Sequence, residues 1–267
     1  AVATVFAKYI TRSSDIPAIE ITFFRFLIGF FVSFFYIRKH GDSFKPAQWR
    51  LVLYRAVFSF TALILFFYSV QYTSVTNANM LNMTYPVFVF IIAPLFWKQK
   101  IKWFSVIFLF LTITGIYLVI RPDFSHVNIG DIWGLLSGIV AAFAVITLSI
   151  AREHDSTAII VFYLMVFGFI LNGIMMIPSF IMPHGIQFIH LLASGAFGVM
   201  GQTLLTIGYK TINARTGSMI SSSRIVFAAI LGFTLFSDPL NLSIITGGLL
   251  IVGSIIGISL LHYNKHL

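Results

Sequence analysis

The sequence predicts an all-α membrane protein in which ten helices cross the bilayer. Of the 267 residues, 58% are hydrophobic and 9% are charged, whereas about 25% of residues are charged in soluble proteins. A helix that spans a bilayer needs about 20 mainly apolar residues and satisfies its own backbone polar groups there. The predicted spans are residues 1–11, 18–37, 51–70, 75–96, 102–120, 129–150, 157–181, 188–209, 217–236 and 241–261.

The first of these spans is shorter than a bilayer and begins abruptly at Ala1. We therefore expect helix 1 to be incomplete, with its N-terminal half outside this sequence. The connections between spans are too short for a soluble domain, so the chain is predicted to be one polytopic membrane domain. The absence of cysteine from the sequence excludes disulfides and thiolate metal sites. No metal and no cofactor are predicted.

The basic residues favour one orientation, with both termini in the cytoplasm. In that orientation eleven of the 17 Lys and Arg lie in inner connections and two, Arg12 and Arg121, lie in outer ones. An excess of basic residues on the inner side is the usual determinant of membrane topology. The net charge of +9 is therefore explained by topology, and no nucleic-acid partner is predicted. The inner set is Arg38, Lys39, Lys45, Arg50, Lys98, Lys100, Lys102, Arg152, Lys210, Arg215 and Lys265.

The two halves of the chain resemble each other. Residues 71–86 and 210–225 have the same organisation. Each segment begins at the polar end of one span, passes through a very short turn and enters a span whose first half contains small and polar residues. Aligning the two segments pairs Pro86 with Ile225. Five spans per half is an odd number, so the halves would cross the membrane in opposite orientations. We predict two inverted five-helix repeats, residues 1–121 and 122–267, with a site at their interface, as in many transporters.

Short motifs at the span ends carry a family resemblance. They are Lys8-Tyr9, Glu20-Ile-Thr-Phe-Phe-Arg25-Phe, Tyr54-Arg55-Ala, Phe67-Tyr68-Ser-Val-Gln71-Tyr72-Thr-Ser and Pro86 of helix 4. On these motifs the chain resembles the drug/metabolite transporter superfamily, in its EamA-type ten-helix branch. Within that branch it looks most like S-adenosylmethionine uptake carriers and the related organic-anion group. The resemblance implies a secondary carrier.

Three arginines inside spans, Arg25, Arg55 and Arg224, are the strongest candidates for a functional role. A cation at the bilayer centre costs about 2.5–3.5 kcal/mol on insertion scales and usually faces a cavity or a partner. Arg55 and Arg224 are predicted to enter from the cytoplasmic side and to direct their guanidinium groups toward a central substrate site, where arginine binds carboxylate or phosphate bidentately. The alternative is that they snorkel to the membrane surface.

Glu20, Arg25 and Lys8 form a second candidate group in the outer parts of helices 1 and 2. Glu20 is the one carboxylate clearly within a predicted span. One interpretation is a structural ion cluster, in which Glu20 neutralises Lys8 or Arg25 near a helix N-terminus. The other is a gating or coupling role, in which Glu20 acts as a protonation switch.

The remaining candidates are polar or aromatic residues that could line the substrate site. Small and hydroxyl residues in spans also serve helix packing, which is the alternative for several of them. The pairs Gly134–Gly138 and Gly253–Gly257 have GxxxG spacing and are predicted helix contacts. The predicted lining residues are Tyr54, Tyr68, Gln71, Asn79, Asn82, Gln202 and Ser222.

These observations together predict a secondary active transporter in a bacterial inner membrane. The substrate is predicted to be a small polar metabolite with an anionic group, either amino-acid-like, such as S-adenosylmethionine, or an organic acid. The alternatives are an exporter of amino acids or hydrophobic drugs, and a lipid-handling or structural membrane protein. No protease motif and no P-loop is present, so no enzyme is predicted. A coupling proton, a counter-substrate and a homodimer are partners that the sequence leaves open beside the substrate and the lipid bilayer.

Overall fold

Helices make up most of the described parts of the chain, which are residues 2–97, 103–124, 128–237 and 241–263 of a computed structural model. The first half contains α1 (Val2–Ser13), α2 (Ala18–His40), α3 (Trp49–Tyr72), α4 (Val75–Asn82), α5 (Tyr85–Trp97) and α6 (Trp103–Ile120). The second half contains α7 (Ile129–His154), α8 (Thr157–Met176), α9 (Ile186–Gly208), α10 (Ala214–Ser221), α11 (Ser223–Phe236) and α12 (Leu242–Tyr263). Residues 98–102 and Lys265, which contain four of the eleven inner basic residues, lie outside the described residues.

The predicted fold class is confirmed. By length and composition, eight helical stretches of the described chain can cross a membrane, and two shorter apolar helices, Val2–Thr11 and Leu242–Ile258, complete the ten. Two of the eight are interrupted, because predicted span 4 consists of α4 and α5 and predicted span 9 consists of α10 and α11.

Three pairs of equivalent helices begin at the same offset in the two halves. The same number of residues separates Ala18 from Thr157, Val75 from Ala214, and Trp103 from Leu242, where α2 and α8, α4 and α10, and α6 and α12 begin. The division into repeats at residue 121 stays a prediction, and this regularity is an argument in its favour.

The chain folds into two compact units, each of which contains segments from both halves. Unit 1 comprises Ala1–Val57 and Thr147–Thr211, and unit 2 comprises Phe58–Ile146 and Ile212–Leu267. The helices α3 and α7 are divided between the two units.

Unit 1 is built around α2, which packs against α8 and α9, while α1 packs against α9. Glycines allow the close approach: a Cβ atom added at Gly168 of α8 would lie 2.4 Å from the ring of Phe26. Aromatic rings fill the rest of the α2–α8 contact, with Phe30 stacked on Phe169 at 5.8 Å between ring centroids. A smaller apolar cluster joins α1, α2 and α9 and contains Ile10, Ile16, Ile21 and Leu191.

Unit 2 has its closest helix contact between α6 and α12. A Cβ atom added at Gly115 would lie 2.7 Å from the carbonyl oxygen of Gly247, and one added at Gly247 would lie 2.6 Å from that of Gly115. Two helix backbones are therefore in direct contact there, which only glycine permits. The buried side chains of Phe90, Leu109, Met219 and Ile258 form the neighbouring core.

The predicted GxxxG contacts are found in part. A Cβ atom at Gly134 of α7 would lie 2.8 Å from Ser69 Oγ, and one at Gly138 would lie 2.8 Å from the carbonyl oxygen of Leu81, so this pair is a helix contact as predicted. Gly257 lies against the ring of Phe108, whereas a Cβ atom at Gly253 would meet nothing within 4 Å. The prediction for Gly253 is therefore wrong.

Candidate functional site

Two short half-helices in unit 2 have matching lengths and caps. The first, α4, is capped by Ser74, whose hydroxyl oxygen accepts a hydrogen bond from the Asn77 backbone N–H at 3.1 Å. The second, α10, is capped by Asn213, whose side-chain oxygen accepts from the Thr216 N–H at 2.9 Å. Caps of this kind satisfy backbone donors that no helical carbonyl can reach. Both half-helices contain eight residues.

Each half-helix ends in a break with an identifiable cause. Pro86 follows the first break, and its lack of a backbone N–H removes one helical hydrogen bond. The second break occurs at Ser222 and involves no proline. The hydroxyls of Ser221 and Ser222 donate to the backbone carbonyls of Gly217 and Ser218, at 2.8 and 3.4 Å, a pattern that bends helices.

The two breaks contact each other reciprocally. Arg224, in the first turn of α11, donates from Nη2 to the Sδ atom of Met83 in the first break, at 3.1 Å. Tyr85, the first residue of α5, donates from its hydroxyl to the carbonyl oxygen of Ser218 in α10, at 3.2 Å. A residue in the first turn of the second half of each broken helix therefore contacts the other broken helix.

The electrostatic character of this region is positive. The first turn of α11 presents backbone N–H groups and the positive end of the helix dipole, and Arg224 adds a full charge there while its side chain is exposed. Its hydrogen-bond partner among the described residues is a thioether, which is a weak acceptor. A carboxylate or phosphate would be a much stronger partner for the guanidinium.

Most of the other predicted lining residues in unit 2 are engaged in local structure. Asn82 donates from Nδ2 to Ser137 Oγ at 3.0 Å, which ties the first break to α7. Asn79 donates to the Val75 carbonyl of its own helix at 2.8 Å, and Ser222 is fully buried.

The two predicted α3 residues in this unit are more accessible. Tyr68 is half-exposed, and its ring centroid is 6.2 Å from that of Trp133. Gln71 is exposed.

Sequence reasoning did not select Met83, Tyr85 or Ser218, which contribute directly to the contact between the breaks. The signal for Tyr85 was present in the sequence, because it pairs with Arg224 in the alignment of 71–86 with 210–225. The thioether of Met83 and the backbone carbonyl of Ser218 carry no comparable signal.

The predicted gating residues lie in unit 1 on α1, α2 and their neighbours. Glu20 is fully buried, and its Oε2 atom accepts from the Ile181 backbone N–H at 3.0 Å. Its Oε1 atom has no hydrogen-bond partner in the described part of the chain. Glu20 therefore contacts the segment that follows α8, and both interpretations of this group, the structural ion cluster and the coupling role, stay predictions. Lys8 is half-buried on α1.

Arg25 and Gln202 contact each other where α2 packs against α9. The Nη2 atom of Arg25 donates to Oε1 of Gln202 at 3.4 Å. The Arg25 side chain extends over Gly198, where an added Cβ atom would lie 2.9 Å from its Cδ atom. The glycine therefore makes the space in which the guanidinium stem lies.

Arg55 and Tyr54 lie near the beginning of α3, also in unit 1. Arg55 is 7% exposed and Tyr54 is 50% exposed. The burial of Arg55 argues against snorkelling, which would leave its head group accessible.

A chain of hydrogen bonds secures the end of α7 and the start of α3, and the sequence did not reveal it. Arg152 donates from Nε to the Thr206 carbonyl at 3.0 Å and from Nη1 to the Asp155 carbonyl. The Asp155 carboxylate accepts from the backbone N–H groups of Ala47 at 2.6 Å and Gln48 at 3.0 Å. In the described ranges, no group of three or more His, Cys, Asp or Glu could hold a metal ion.

Several known proteins are similar to the chain over most of its length. The pseudopaline exporter of Pseudomonas aeruginosa is 27% identical over 92% of this chain and 88% of its own. Solute carrier family 35 member G1 of Homo sapiens is 26% identical over 95% of this chain and 74% of its own. The S-adenosylmethionine uptake transporter of Rickettsia felis is 20% identical over 93% of this chain and 84% of its own.

The fold has a counterpart among solved structures and among protein families. A crystal structure of another protein matches with a TM-score of 0.81 and 16% identity, covering 100% of this chain and 96% of that one. The model of the EamA-like transporter family matches residues 1–121 and 128–260, which is nearly all of the sequence. The chain belongs to the EamA-like transporter family.

Proposed function

We propose that this transporter is a secondary carrier that moves a small polar metabolite bearing an anionic group by alternating access. The observation that carries the proposal is the position of Arg224. It is an exposed arginine in the first turn of a half-helix, it lies at the break of a predicted membrane span, and its hydrogen-bond partner is a weak acceptor. In carriers with interrupted helices, the half-helix N-termini bind anionic substrate groups near the bilayer midplane.

The repeat architecture supports the same proposal. We infer that residues 1–121 and 122–267 are two inverted repeats, because three pairs of equivalent helices begin at the same offset and each half contains one interrupted span. Two matching interrupted spans, one from each half, are the arrangement expected around a carrier's substrate site. In this proposal both termini lie in the cytoplasm and the membrane is a bacterial inner membrane, as the basic residues of the sequence predict.

The chemistry of arginine narrows the substrate class. A guanidinium group binds a carboxylate or phosphate with two parallel hydrogen bonds, so we propose an amino-acid-like metabolite or an organic acid. S-adenosylmethionine is a specific candidate, because an uptake transporter for it in Rickettsia felis is similar to the chain over most of both sequences. We propose no catalytic activity.

The second candidate function is export of the substrate from the cell. It is favoured by the similarity to a protein named as the pseudopaline exporter. In this alternative the substrates are amino acids or hydrophobic drugs. Exported amino acids carry a carboxylate and would still require Arg224, whereas hydrophobic drugs without an acidic group would not, so Arg224 distinguishes the proposal from drug export only.

The decisive experiment is flux in proteoliposomes that contain the purified chain. Labelled S-adenosylmethionine, a dicarboxylate and an uncharged hydrophobic dye are tested in separate preparations. The proposal expects saturable flux of a compound with an anionic group, and loss of that flux in Arg224→Ala. Saturable flux of the dye alone, unchanged in Arg224→Ala, contradicts the substrate class. The absence of any flux, in liposomes where a known carrier is active, favours a lipid-handling or structural protein instead.

A further inference from the structure

The segment that joins α2 to α3 is basic and exposed. Arg38, Lys39, Lys45 and Arg50 are all exposed, and one acidic residue, Asp42, lies among them. The whole segment belongs to unit 1. We refer to residues 36–50 as the basic segment.

The backbone of the basic segment is held in place by buried groups. The helix α2 ends at Gly41 in the left-handed conformation, with φ of 68°, and the Asp42 N–H donates to the Ile37 carbonyl at 3.1 Å. The ring of Phe44 packs on Phe162 of α8 at 5.2 Å between centroids. Two further hydrogen bonds, from Tyr163 to the Phe44 carbonyl and from Ala47 to the Asp155 carboxylate, complete the attachment. The cationic side chains therefore project from a fixed backbone.

Two aromatic side chains accompany the cations. Trp49 is 59% exposed, and the guanidinium of Arg50 lies 5.7 Å from its ring centroid. Tyr36 is 51% exposed, and its ring stacks on His40 at 4.2 Å. Exposed Trp and Tyr at the ends of membrane spans lie at the level of the lipid headgroups.

The helix dipole accounts for only part of this charge. Arg38 and Lys39 lie in the last turn of α2, where a cation is favoured. Arg50 is in the first turn of α3, where the dipole disfavours a cation, and that turn contains no acidic residue. Lys45 lies in neither turn. The helix dipole therefore does not account for Arg50 or Lys45.

We infer that the basic segment is a binding site for the headgroup of an anionic phospholipid. Clusters of four or more Lys and Arg next to a membrane span attract anionic lipids. The exposed rings of Tyr36 and Trp49 favour a lipid over a soluble phosphate, because a lipid offers both a charged headgroup and an apolar chain. The inference concerns residues 36–50 of unit 1, none of which is proposed to bind substrate, and it does not depend on the proposed function.

The test measures lipid binding to the purified protein in detergent by native mass spectrometry, with phosphatidylglycerol and phosphatidylcholine as probes. The wild type should retain phosphatidylglycerol in preference to phosphatidylcholine. Neutralising all four cations, as Arg38→Gln, Lys39→Gln, Lys45→Gln and Arg50→Gln, should weaken phosphatidylglycerol binding at least a hundredfold, at about fivefold for each cation near the surface. The pair Lys45→Gln and Arg50→Gln serves if the fourfold variant does not fold.

Three controls separate this site from general electrostatics. Lys39→Arg with Lys45→Arg keeps the charge and should keep the binding. Lys98→Gln, Lys100→Gln and Lys102→Gln remove three charges elsewhere and should change the affinity less than twofold. Soluble glycerol phosphate should not compete.

The inference is overturned if the neutralised variants bind phosphatidylglycerol as the wild type does, or if both lipids bind equally. It is also overturned if the 98–102 variant loses as much affinity as the basic-segment variant. Competition by glycerol phosphate at the lipid's own concentration would assign the site to a soluble anion.

Discussion

Two of the arginines predicted to bind substrate have contrasting surroundings. Arg55 is buried near the start of α3, whereas Arg224 is exposed at a helix break and contacts a thioether. A buried charge is costly to disturb because its partners depend on it. An exposed charge with a weak partner is free to exchange that partner for a ligand. Substitution of Arg224 should therefore reduce substrate binding without reducing the stability of the fold.

Arg224→Ala is expected to abolish substrate binding without unfolding the protein. The variant loses a charged bidentate donor, which should weaken binding at least about thirtyfold, since truncating one member of a hydrogen-bonded charge pair costs 2–5 kcal/mol. It leaves behind only a thioether acceptor, so the fold should be retained. The measurement is binding by calorimetry together with the melting temperature. Arg224→Lys should recover little affinity, because an ammonium cannot replace the planar fork.

Arg50→Ala is the matched control for this experiment, because it removes an exposed arginine from the start of a different helix. It should leave substrate affinity unchanged. Full transport by Arg224→Ala would return Arg224 to a packing role, and a similar loss in both variants would point to net charge.

Glu20→Gln is expected to separate accumulation from exchange. Glutamine keeps a carbonyl oxygen for the Ile181 N–H but cannot take up or release a proton. If Glu20 couples transport to a proton gradient, the variant should lose gradient-driven accumulation in proteoliposomes and retain exchange of substrate for substrate. Glu153→Gln, which changes an exposed acid at the end of α7, should behave as the wild type.

Other outcomes for Glu20 have distinct meanings. A parallel loss of accumulation, exchange and thermal stability would show that the contact with Ile181 is structural. Normal accumulation by Glu20→Gln would remove the proton from the mechanism and leave an exchanger or a facilitator.

At the scale of the helix, the main feature is that two spans are interrupted, which the hydrophobicity of the sequence does not predict. Predicted spans 4 and 9 are continuous as apolar stretches, yet the backbone breaks at Met83–Thr84 and at Ser222. The first break has a proline nearby, and the second has a run of serines that hydrogen-bond back to their own helix. The same local geometry is therefore reached by two different chemistries, which explains why Ile225 can occupy the position that corresponds to Pro86.

Gly115 and Gly253 provide a matched test of helix packing. Gly115→Ala should destabilise the protein, because the added methyl group would lie 2.7 Å from the Gly247 carbonyl oxygen and force α6 and α12 apart. Overpacking of this kind costs about 1–3 kcal/mol. Gly253→Ala meets nothing within 4 Å and should be neutral or slightly stabilising, since alanine is the better helix former by about 1 kcal/mol. Melting temperatures in detergent measure both. Equal melting temperatures for the two variants would contradict the direct contact between α6 and α12.

At the scale of the whole molecule, the sequence repeat and the spatial units divide the chain differently. The predicted repeats meet near residue 121, whereas unit 1 combines Ala1–Val57 with Thr147–Thr211. A repeat describes how a chain is organised along its length, and a compact unit describes which helices pack together. The two descriptions are compatible.

The orientation of the chain can be tested by labelling of single cysteines, since the sequence contains none. Cysteine in place of Lys45, which is exposed between α2 and α3, should react with an impermeant maleimide only after the cells are opened. Cysteine in place of Phe124, between α6 and α7, should react in intact cells. Labelling of residue 45 from outside would reverse the predicted topology of both termini.

The sequence alone was sufficient for the ten spans and the family. Most predicted boundaries lie within a few residues of the helices α1 to α12, because the length and composition that a bilayer requires are local properties of the chain. The candidate site could be predicted from the sequence only in part. Arg224 could be predicted because a charge in a span is costly wherever it lies.

Only the tertiary structure decided which groups meet. Arg224 and Met83 are 141 residues apart in the sequence, and Glu20 and Ile181 are 161 residues apart. Tyr85 and Ser218 are 133 residues apart, and Ala47 and Asp155 are 108 residues apart. Several of these contacts use backbone atoms, which every residue carries and which leave no mark in a sequence. A hydrogen bond forms only where folding brings a donor and an acceptor within about 3 Å of each other. Residue types predicted the chemistry available, and the packing of distant helices selected the partners.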